Sequence, residues 1–185
     1  MRNNREKDGA FSGALRVTFP ALMGALSLLM LYLACTIPAG RWGWVAVAGL
    51  GPLAVVASMD VGRGIRCWTG TTILAFLLLP DKFCAVLFTA LFGLYPMVKA
   101  LAERIRMKLV QYIVKLAFFN LSLTAIFGAM GTLVMASLPG FLGGWPWQFL
   151  YIVGNVVFLI YDLGLTRLIP FYLVRVDRAI RKSGR

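Results

Sequence analysis

The stretch KALAERIRMK, residues 99–108, carries four basic side chains and lies between two long apolar segments. On both sides of this stretch, the connections between apolar segments alternate between ones rich in Lys and Arg and ones that have almost none. One alternating set of gaps and tails holds 15 of the 19 basic residues, and the other set holds only Arg41 and Lys82. Because Lys and Arg are retained on the cytoplasmic side of membrane proteins, the pattern predicts six membrane spans with both termini in the cytoplasm.

The composition leads to the same class of protein. Hydrophobic residues make up 60% of the 185 residues and charged residues 14%, whereas about a quarter of the residues in soluble proteins are charged. Six helices of about 20 residues each would use most of the chain. We therefore predict an all-α integral membrane six-helix bundle, with residues 1–185 as a single transmembrane domain. The net charge of +12 is expected to face anionic lipid headgroups of the bilayer, and no nucleic-acid partner is predicted.

The apolar segments and their breakers set the expected element boundaries. The predicted helices cover residues 18–37, 42–58, 65–79, 83–98, 109–138 and 148–174. The glycines and the proline within residues 49–52 predict a kink or break in the second helix, because proline removes a backbone donor. Residues 99–108 are predicted to form an amphipathic cytoplasmic helix on the membrane surface, with Leu101 and Ile105 toward lipid.

Five polar side chains lie inside the last two predicted helices, where a charge is costly: Lys115, Asn120, Asn155, Asp162 and Arg167. Asn155 and Asp162 are seven residues apart and share one helix face, which is expected to point into the bundle. Counting about 1.5 Å per residue from the outer helix ends, Asn120 matches the depth of Asp162 better than Lys115 does. The set is interpreted as an interhelical polar clamp, as a solute or ion site, or as a partner contact.

Aromatic and charged residues recur in the loops that are predicted to face outward. Such residues can close over a small planar or anionic solute, or they can anchor the helices at the membrane interface. The candidate solute-binding residues from these loops and from the spans are Arg41, Trp42, Trp44, Lys82, Asn120, Trp145, Trp147, Asn155 and Asp162.

Enzyme signatures are missing from the sequence. It contains no histidine, no His-Glu-x-x-His, no Gly-x-Ser-x-Gly and no phosphate-binding loop. The three cysteines have neither metal-ligand spacing nor a close pair. We therefore predict no enzymatic activity, no metal and no cofactor.

The number of helices, the cytoplasmic termini, the chain length and the Ala21-x-x-x-Ala25 spacing resemble the substrate-binding (S) component of energy-coupling factor (ECF) transporters. The segments FGLYPMVK (92–99) and KLAFFN (115–120) also resemble uncharacterised six-helix bacterial membrane proteins of this size. The S-component resemblance implies capture of a vitamin or other micronutrient at the bacterial plasma membrane, in a pocket near the outer surface. It also implies that Ala21, Gly24 and Ala25 dock a transmembrane coupling protein that works with ATPase subunits.

The sequence leaves three other functions open. These are a non-transporting membrane scaffold or accessory subunit, an intramembrane enzyme that acts on lipid, and an ion- or proton-coupled carrier that uses Asp162. A cavity open to the outer face and lined by Arg41, Trp44, Trp145 or Asn155 would favour solute capture. A fully packed interior would favour the scaffold.

Overall fold

A computed structural model describes residues 15–37, 40–137 and 147–183 of the chain, with side chains for residues 15–37, 40–132, 149 and 151–170. Every regular element in these ranges is helical, which confirms the all-α prediction. The elements are α1 (Leu15–Thr36), α2 (Arg41–Ala48), α3 (Leu50–Ser58), α4 (Val61–Leu78), α5 (Lys82–Leu87), a π-helical turn (Phe88–Phe92), α6 (Tyr95–Ala102), α7 (Lys108–Ser137) and α8 (Trp147–Ser183). The pairs α2 with α3 and α5 with α6 are interrupted helices, so the described chain forms six helical segments.

Five of these six segments are long and apolar enough to cross a membrane. They are Leu15–Thr36, Arg41–Ser58, Lys82–Ala102, Lys108–Thr132 and Tyr151–Pro170. Large apolar side chains stay exposed on the outside of the bundle; Leu77 and Leu121, for example, are each 73% exposed. Water-soluble proteins rarely leave an apolar surface this extensive uncovered. The helices and their surface are therefore consistent with a membrane protein.

The second helical segment is interrupted at Gly49, as the sequence predicted. Pro52 has no backbone N–H, so the carbonyl of Ala48 loses its helical donor. Ser27 of α1 replaces that donor, with its Oγ 2.8 Å from the Ala48 oxygen. Gly51 allows the close approach, because a Cβ built there would lie 2.0 Å from Ser27 Oγ. The break and the packing of α1 against it are therefore parts of one contact.

The fourth helical segment is also not a continuous α-helix. The N–H of Gly93 donates to the Phe88 carbonyl, five residues earlier, at 2.7 Å. Pro96 has no N–H that could donate to the Phe92 carbonyl. That carbonyl packs against Gly49, where an added Cβ would lie only 2.6 Å from its oxygen. The two interrupted segments thus cross at their interruptions. The extra residue of a π turn rotates everything after it about the helix axis, and this rotation sets the face that α6 turns inward.

The prediction of an amphipathic helix over residues 99–108 is wrong. Lys99 belongs to the last full turn of α6, which ends at Ala102, and residues 103–107 form turns and bends. Lys99 is only 1% exposed, although its position near a helix end suggested a solvated cation. The physical reason is that Lys99 lies one turn beyond Tyr95 on the buried face of α6, where it forms an ion pair with Asp162 of α8.

The start of α4 also differs from the sequence-based expectation, which placed it at residue 65. Helix α4 begins at Val61 because the Asp60 carboxylate accepts a hydrogen bond from the Arg63 N–H at 2.8 Å, which caps the helix. Arg63 and Arg66 therefore lie inside the first turns of α4 and not in a loop. Helix α7 carries a kink at Met130 (φ −141°, ψ 34°), which lies between Gly128 and Gly131.

Candidate functional site

The most concentrated polar chemistry in the described chain surrounds Asp162 of α8. Its carboxylate is buried and accepts hydrogen bonds from three side chains on two other helices. Oδ1 lies 2.5 Å from the Tyr95 hydroxyl and 2.5 Å from Lys99 Nζ, both on α6. Oδ2 lies 3.1 Å from Lys115 Nζ on α7. Asp162 therefore ties α6, α7 and α8 together at one point.

A second carboxylate completes this arrangement. Glu103 Oε1, in the turn after α6, lies 2.8 Å from Lys99 Nζ and 3.2 Å from Lys115 Nζ. We call Lys99, Glu103, Lys115 and Asp162 the charge cluster. It holds two positive and two negative charges and is neutral as a whole, which is the condition under which buried charges are tolerated. Its side chains differ in access, since Glu103 is 39% exposed and the other three are buried.

Helical spacing explains why these residues meet. Tyr95, Lys99 and Glu103 follow one another at intervals of four residues, so they line one face of α6 and its continuation. Asp162 and Thr166 have the same spacing on α8, and the Thr166 hydroxyl accepts a hydrogen bond from Lys99 Nζ at 2.7 Å. The charge cluster therefore forms where two rows of side chains, each spaced four residues apart, come together with Lys115.

An aromatic layer lies on the other side of Asp162. The ring of Tyr95 packs edge-on against Phe158 with centroids 4.9 Å apart, and it stacks on Phe118 at 6.2 Å. Phe158 in turn stacks on Phe119 at 4.5 Å. These rings lie between the charge cluster and the next polar contact along α7 and α8.

That next contact consists of Asn120 and Asn155, which we call the amide pair. Each side chain donates to the other, with N···O distances of 2.9 and 3.1 Å. Each also donates to the carbonyl four residues earlier in its own helix, Leu116 for Asn120 and Tyr151 for Asn155, both at 2.8 Å. The amide pair therefore satisfies its donors within the protein.

The depth match that the sequence suggested between Asn120 and Asp162 is wrong. Asn120 lies opposite Asn155, and it is Lys115 that reaches Asp162. The comparison of depths assumed that the outer ends of α7 and α8 lie at the same level, and this assumption gave the wrong register between the two helices. The length of the lysine side chain covers the remaining distance to the carboxylate.

The predicted outer-loop residues collect where α2 and α5 begin. Arg41 pairs with Asp81 at 3.0 Å. Lys82 donates to the carbonyls of Phe76 and Leu79 at 2.6 and 2.9 Å, so it caps the end of α4. The cations of both residues are thus engaged by the protein itself.

The tryptophans of this end behave differently. Trp42 meets Phe83 edge-on at 6.0 Å, and Trp44 is partly buried against the core. The indole N–H of Trp42 is buried and has no acceptor within the described residues. Trp145 lies outside the described residues, as does the side chain of Trp147, so the structure leaves both predictions as they were.

The residues predicted to dock a coupling protein divide between two surfaces. Ala21 and Ala25 are exposed on the outside of α1. Gly24 instead faces α4, where an added Cβ would lie 3.0 Å from Thr71 Oγ1 and 3.7 Å from Cys67 Sγ. Close packing between α1 and α4 therefore depends on Gly24, while the alanines remain available to a neighbour.

The described residues also form an apolar groove of about 270 Å³ between α1, the α2–α3 segment and α8. Its walls include Met23, Met30, Leu50 and Ile169. Of the predicted solute-binding residues in the described chain, none lines this groove.

Comparison with known proteins gives no relative: no protein-family model, curated protein or solved structure matches the chain. The function is therefore argued from the geometry and the sequence pattern alone.

Sequence reasoning missed Tyr95, Lys99 and Glu103 as members of a site. The signal was present, because a tyrosine, a lysine and a glutamate recur at four-residue spacing on one helix face. Glu103 and Asp162 are also two of only seven acidic residues in the chain. In a strongly basic membrane protein, each acidic residue near a span is a candidate partner for a buried cation.

Proposed function

We propose that this protein is the membrane-embedded, non-catalytic solute-capture component of an ATP-driven micronutrient transporter, organised like the S component of ECF systems. The six helical segments, five of them apolar enough to span a bilayer, support this proposal. The distribution of Lys and Arg supports an orientation with both termini in the cytoplasm, and the resemblance to S components implies the bacterial plasma membrane. On this orientation the Arg41–Asp81 end faces outward and the charge cluster lies toward the inner leaflet.

The observation that carries the proposal is the indole N–H of Trp42, which is buried and has no acceptor among the residues that the structure describes. A buried donor without an acceptor costs about 1–3 kcal/mol, and such a group in a native structure calls for an explanation. An oxygen atom of a captured solute would supply the acceptor. Phe83 adds an aromatic edge beside the indole, and the Arg41–Asp81 pair adds charge. We expect a solute with a planar apolar part and an oxygen acceptor.

The packing of α1 supports a route of release. Ala21 and Ala25 offer a small-residue surface on which a coupling protein can approach closely. Gly24, beside the two alanines on the helix surface, packs against Thr71 of α4. A partner that shifts α1 therefore also acts on α4, whose end is capped by Lys82 next to the proposed capture end.

Native mass spectrometry of the protein purified from its own membrane tests the proposal. A retained small molecule would identify the solute, and co-purifying ATPases would identify the partner. The variant Trp42→Phe keeps an aromatic ring against Phe83 and removes the indole N–H together with the smaller ring that carries it. We expect it to lose the retained molecule while its melting temperature stays within a few degrees of wild type.

Trp44→Phe is the matched control, because it removes an indole N–H two residues away. It is expected to keep the solute. Retention of the same molecule by both variants at the wild-type level would contradict the role of Trp42, and the absence of any retained molecule from the wild type would contradict solute capture.

The second candidate function is a non-transporting scaffold or accessory subunit. The amide pair favours it, because Asn120 and Asn155 satisfy each other and leave no donor for a solute. The engaged carboxylate of Asp162 favours it as well. A stable complex with another membrane protein that forms without any small molecule would support this alternative.

A further inference from the structure

Two lysines of the charge cluster converge on a carboxylate that is partly exposed to solvent. Lys99 and Lys115 both place their ammonium groups within 3.2 Å of Glu103 Oε1. Glu103 follows the last residue of α6 and is partly exposed. Ion pairs with an exposed member are individually weak, since water and salt compete for them.

The other carboxylate of the cluster is held differently. Asp162 is buried and receives Tyr95, Lys99 and Lys115 together. If Glu103 turns outward, two buried ammonium groups face the single charge of Asp162. A net positive charge in a buried place is unfavourable, so this state requires another anion at the position that Glu103 leaves.

The surroundings indicate which anion is at hand. The residues that follow Glu103 include Arg104, Arg106 and Lys108, all of them exposed. Beside this basic turn, Met107 and Leu109 are exposed apolar residues at the start of α7. A basic turn that meets an apolar surface marks the level of the lipid headgroups in a bilayer, where basic residues attract anionic lipid.

We propose that Lys99 and Lys115 form a binding site for the phosphate group of an anionic lipid, which takes the place of the Glu103 carboxylate. Each ammonium group pairs with one phosphate oxygen, and the basic turn raises the local concentration of anionic lipid. Thr166, an exposed residue whose hydroxyl accepts a hydrogen bond from Lys99, marks the open side of the site. The site requires that the chain lies in a bilayer but not that it captures a solute, so the two proposals can fail independently.

The test uses the full chain in bilayer discs of phosphatidylcholine with a minor fraction of phosphatidylglycerol. After extraction into a neutral detergent, native mass spectrometry counts the phosphatidylglycerol that remains bound. Glu103→Gln removes the competing charge and keeps the side-chain shape. We expect this variant to retain about fivefold more phosphatidylglycerol than wild type, the ratio that corresponds to one exposed ion pair.

Two further variants separate the site from a general basic surface. Asp81→Asn removes a carboxylate that is paired with Arg41 at the other end of the bundle, and it is expected to retain lipid like wild type. The double variant Glu103→Gln/Lys115→Gln leaves Lys99 balanced by Asp162, so the cluster stays neutral. It is expected to retain less phosphatidylglycerol than wild type.

Equal gains in Asp81→Asn and Glu103→Gln would overturn the site, as would equal retention by the double variant and Glu103→Gln. Where Glu103→Gln cannot be purified, wild type against the neutral double variant decides, and equal retention overturns the proposal. Inorganic phosphate added without phosphatidylglycerol tests the other source of the same chemistry. Stabilisation of Glu103→Gln by inorganic phosphate, with no retained phosphatidylglycerol, would overturn the assignment to lipid.

Discussion

The amide pair and the charge cluster both join α7 to α8, and they differ in what they can exchange with their surroundings. The amide pair is neutral, and each of its two side chains bonds to the other and to its own helix. The charge cluster carries four charges and has one partly exposed member, Glu103. An aromatic layer around Phe158 lies between the two.

This difference separates a structural contact from a responsive one. Substitution of both members of a neutral pair by apolar groups of similar shape is nearly neutral in free energy. A buried charge cluster tolerates no such loss of one member, because the remaining charge has no counterpart. The contacts of the amide pair hold α7 and α8 together, whereas the charge cluster carries charges on which an anion or a shift of α6 would act.

The largest expected effect comes from Asp162→Asn. This substitution leaves Lys99 and Lys115 with Glu103 alone, so a net positive charge stays buried. We expect the free energy of unfolding in mixed detergent micelles to fall by about 3–5 kcal/mol. The double variant Lys115→Met/Asp162→Asn restores neutrality and is expected to recover more than half of that loss. A single variant as stable as wild type would mean that the charge cluster is solvated and not buried.

A smaller effect is expected for Tyr95→Phe, which deletes one hydroxyl from the charge cluster and keeps the aromatic layer. Hydrogen bonds to charged groups contribute about 1.5–3 kcal/mol, and Asp162 keeps both lysines as donors. We therefore expect a loss of about 2 kcal/mol in the free energy of unfolding. A loss below a quarter of that value would show that the tyrosine hydroxyl is redundant beside the two ammonium groups.

Features that depend on local sequence could be predicted, and the all-α fold is the clearest of them. Apolar segment length identified the helical segments, and Gly49 with Pro52 identified the interruption of the second one. Both signals act within a few residues, because a proline frees a carbonyl in its own helix and nowhere else. The hydrogen bond that this carbonyl accepts from Ser27 could not be predicted from the local pattern.

The burial of Lys99 could not be predicted from the spacing of basic residues along the chain. The rule that assigns basic residues to cytoplasmic gaps looks only at their position along the chain. Whether Lys99 faces water or Asp162 depends on the rotation of α6, and the π-helical turn before Tyr95 sets that rotation. The register of α7 against α8 failed for a related reason, since it depends on packing between two helices and not on the length of either.

The neutral contact is expected to respond more weakly than either change in the charge cluster. Asn120→Leu leaves the side-chain oxygen of Asn155 without its donor, and interhelical hydrogen bonds in membrane proteins contribute about 0.6 kcal/mol on average. We expect a loss of about 1 kcal/mol in the free energy of unfolding, and nearly none for Asn120→Leu/Asn155→Leu, in which both partners are apolar. A double variant less stable than the single one would show that the amide pair does more than hold the two helices together.

The smallest effect is expected one helical turn farther along, for Tyr151→Phe. The Tyr151 hydroxyl lies 2.9 Å from Thr124 Oγ1 in an exposed position, and its ring stacks on Phe127 at 5.9 Å. Removal of the hydroxyl keeps that stacking, so the free energy of unfolding should change by less than about 0.5 kcal/mol. Tyr95→Phe is the matched comparison, because it deletes the same atom from a buried tyrosine. A loss at Tyr151 as large as that at Tyr95 would show that its hydroxyl makes a stronger contact than the one with Thr124, and repeating the measurement on protein stripped of small molecules would tell whether a bound solute supplies that contact.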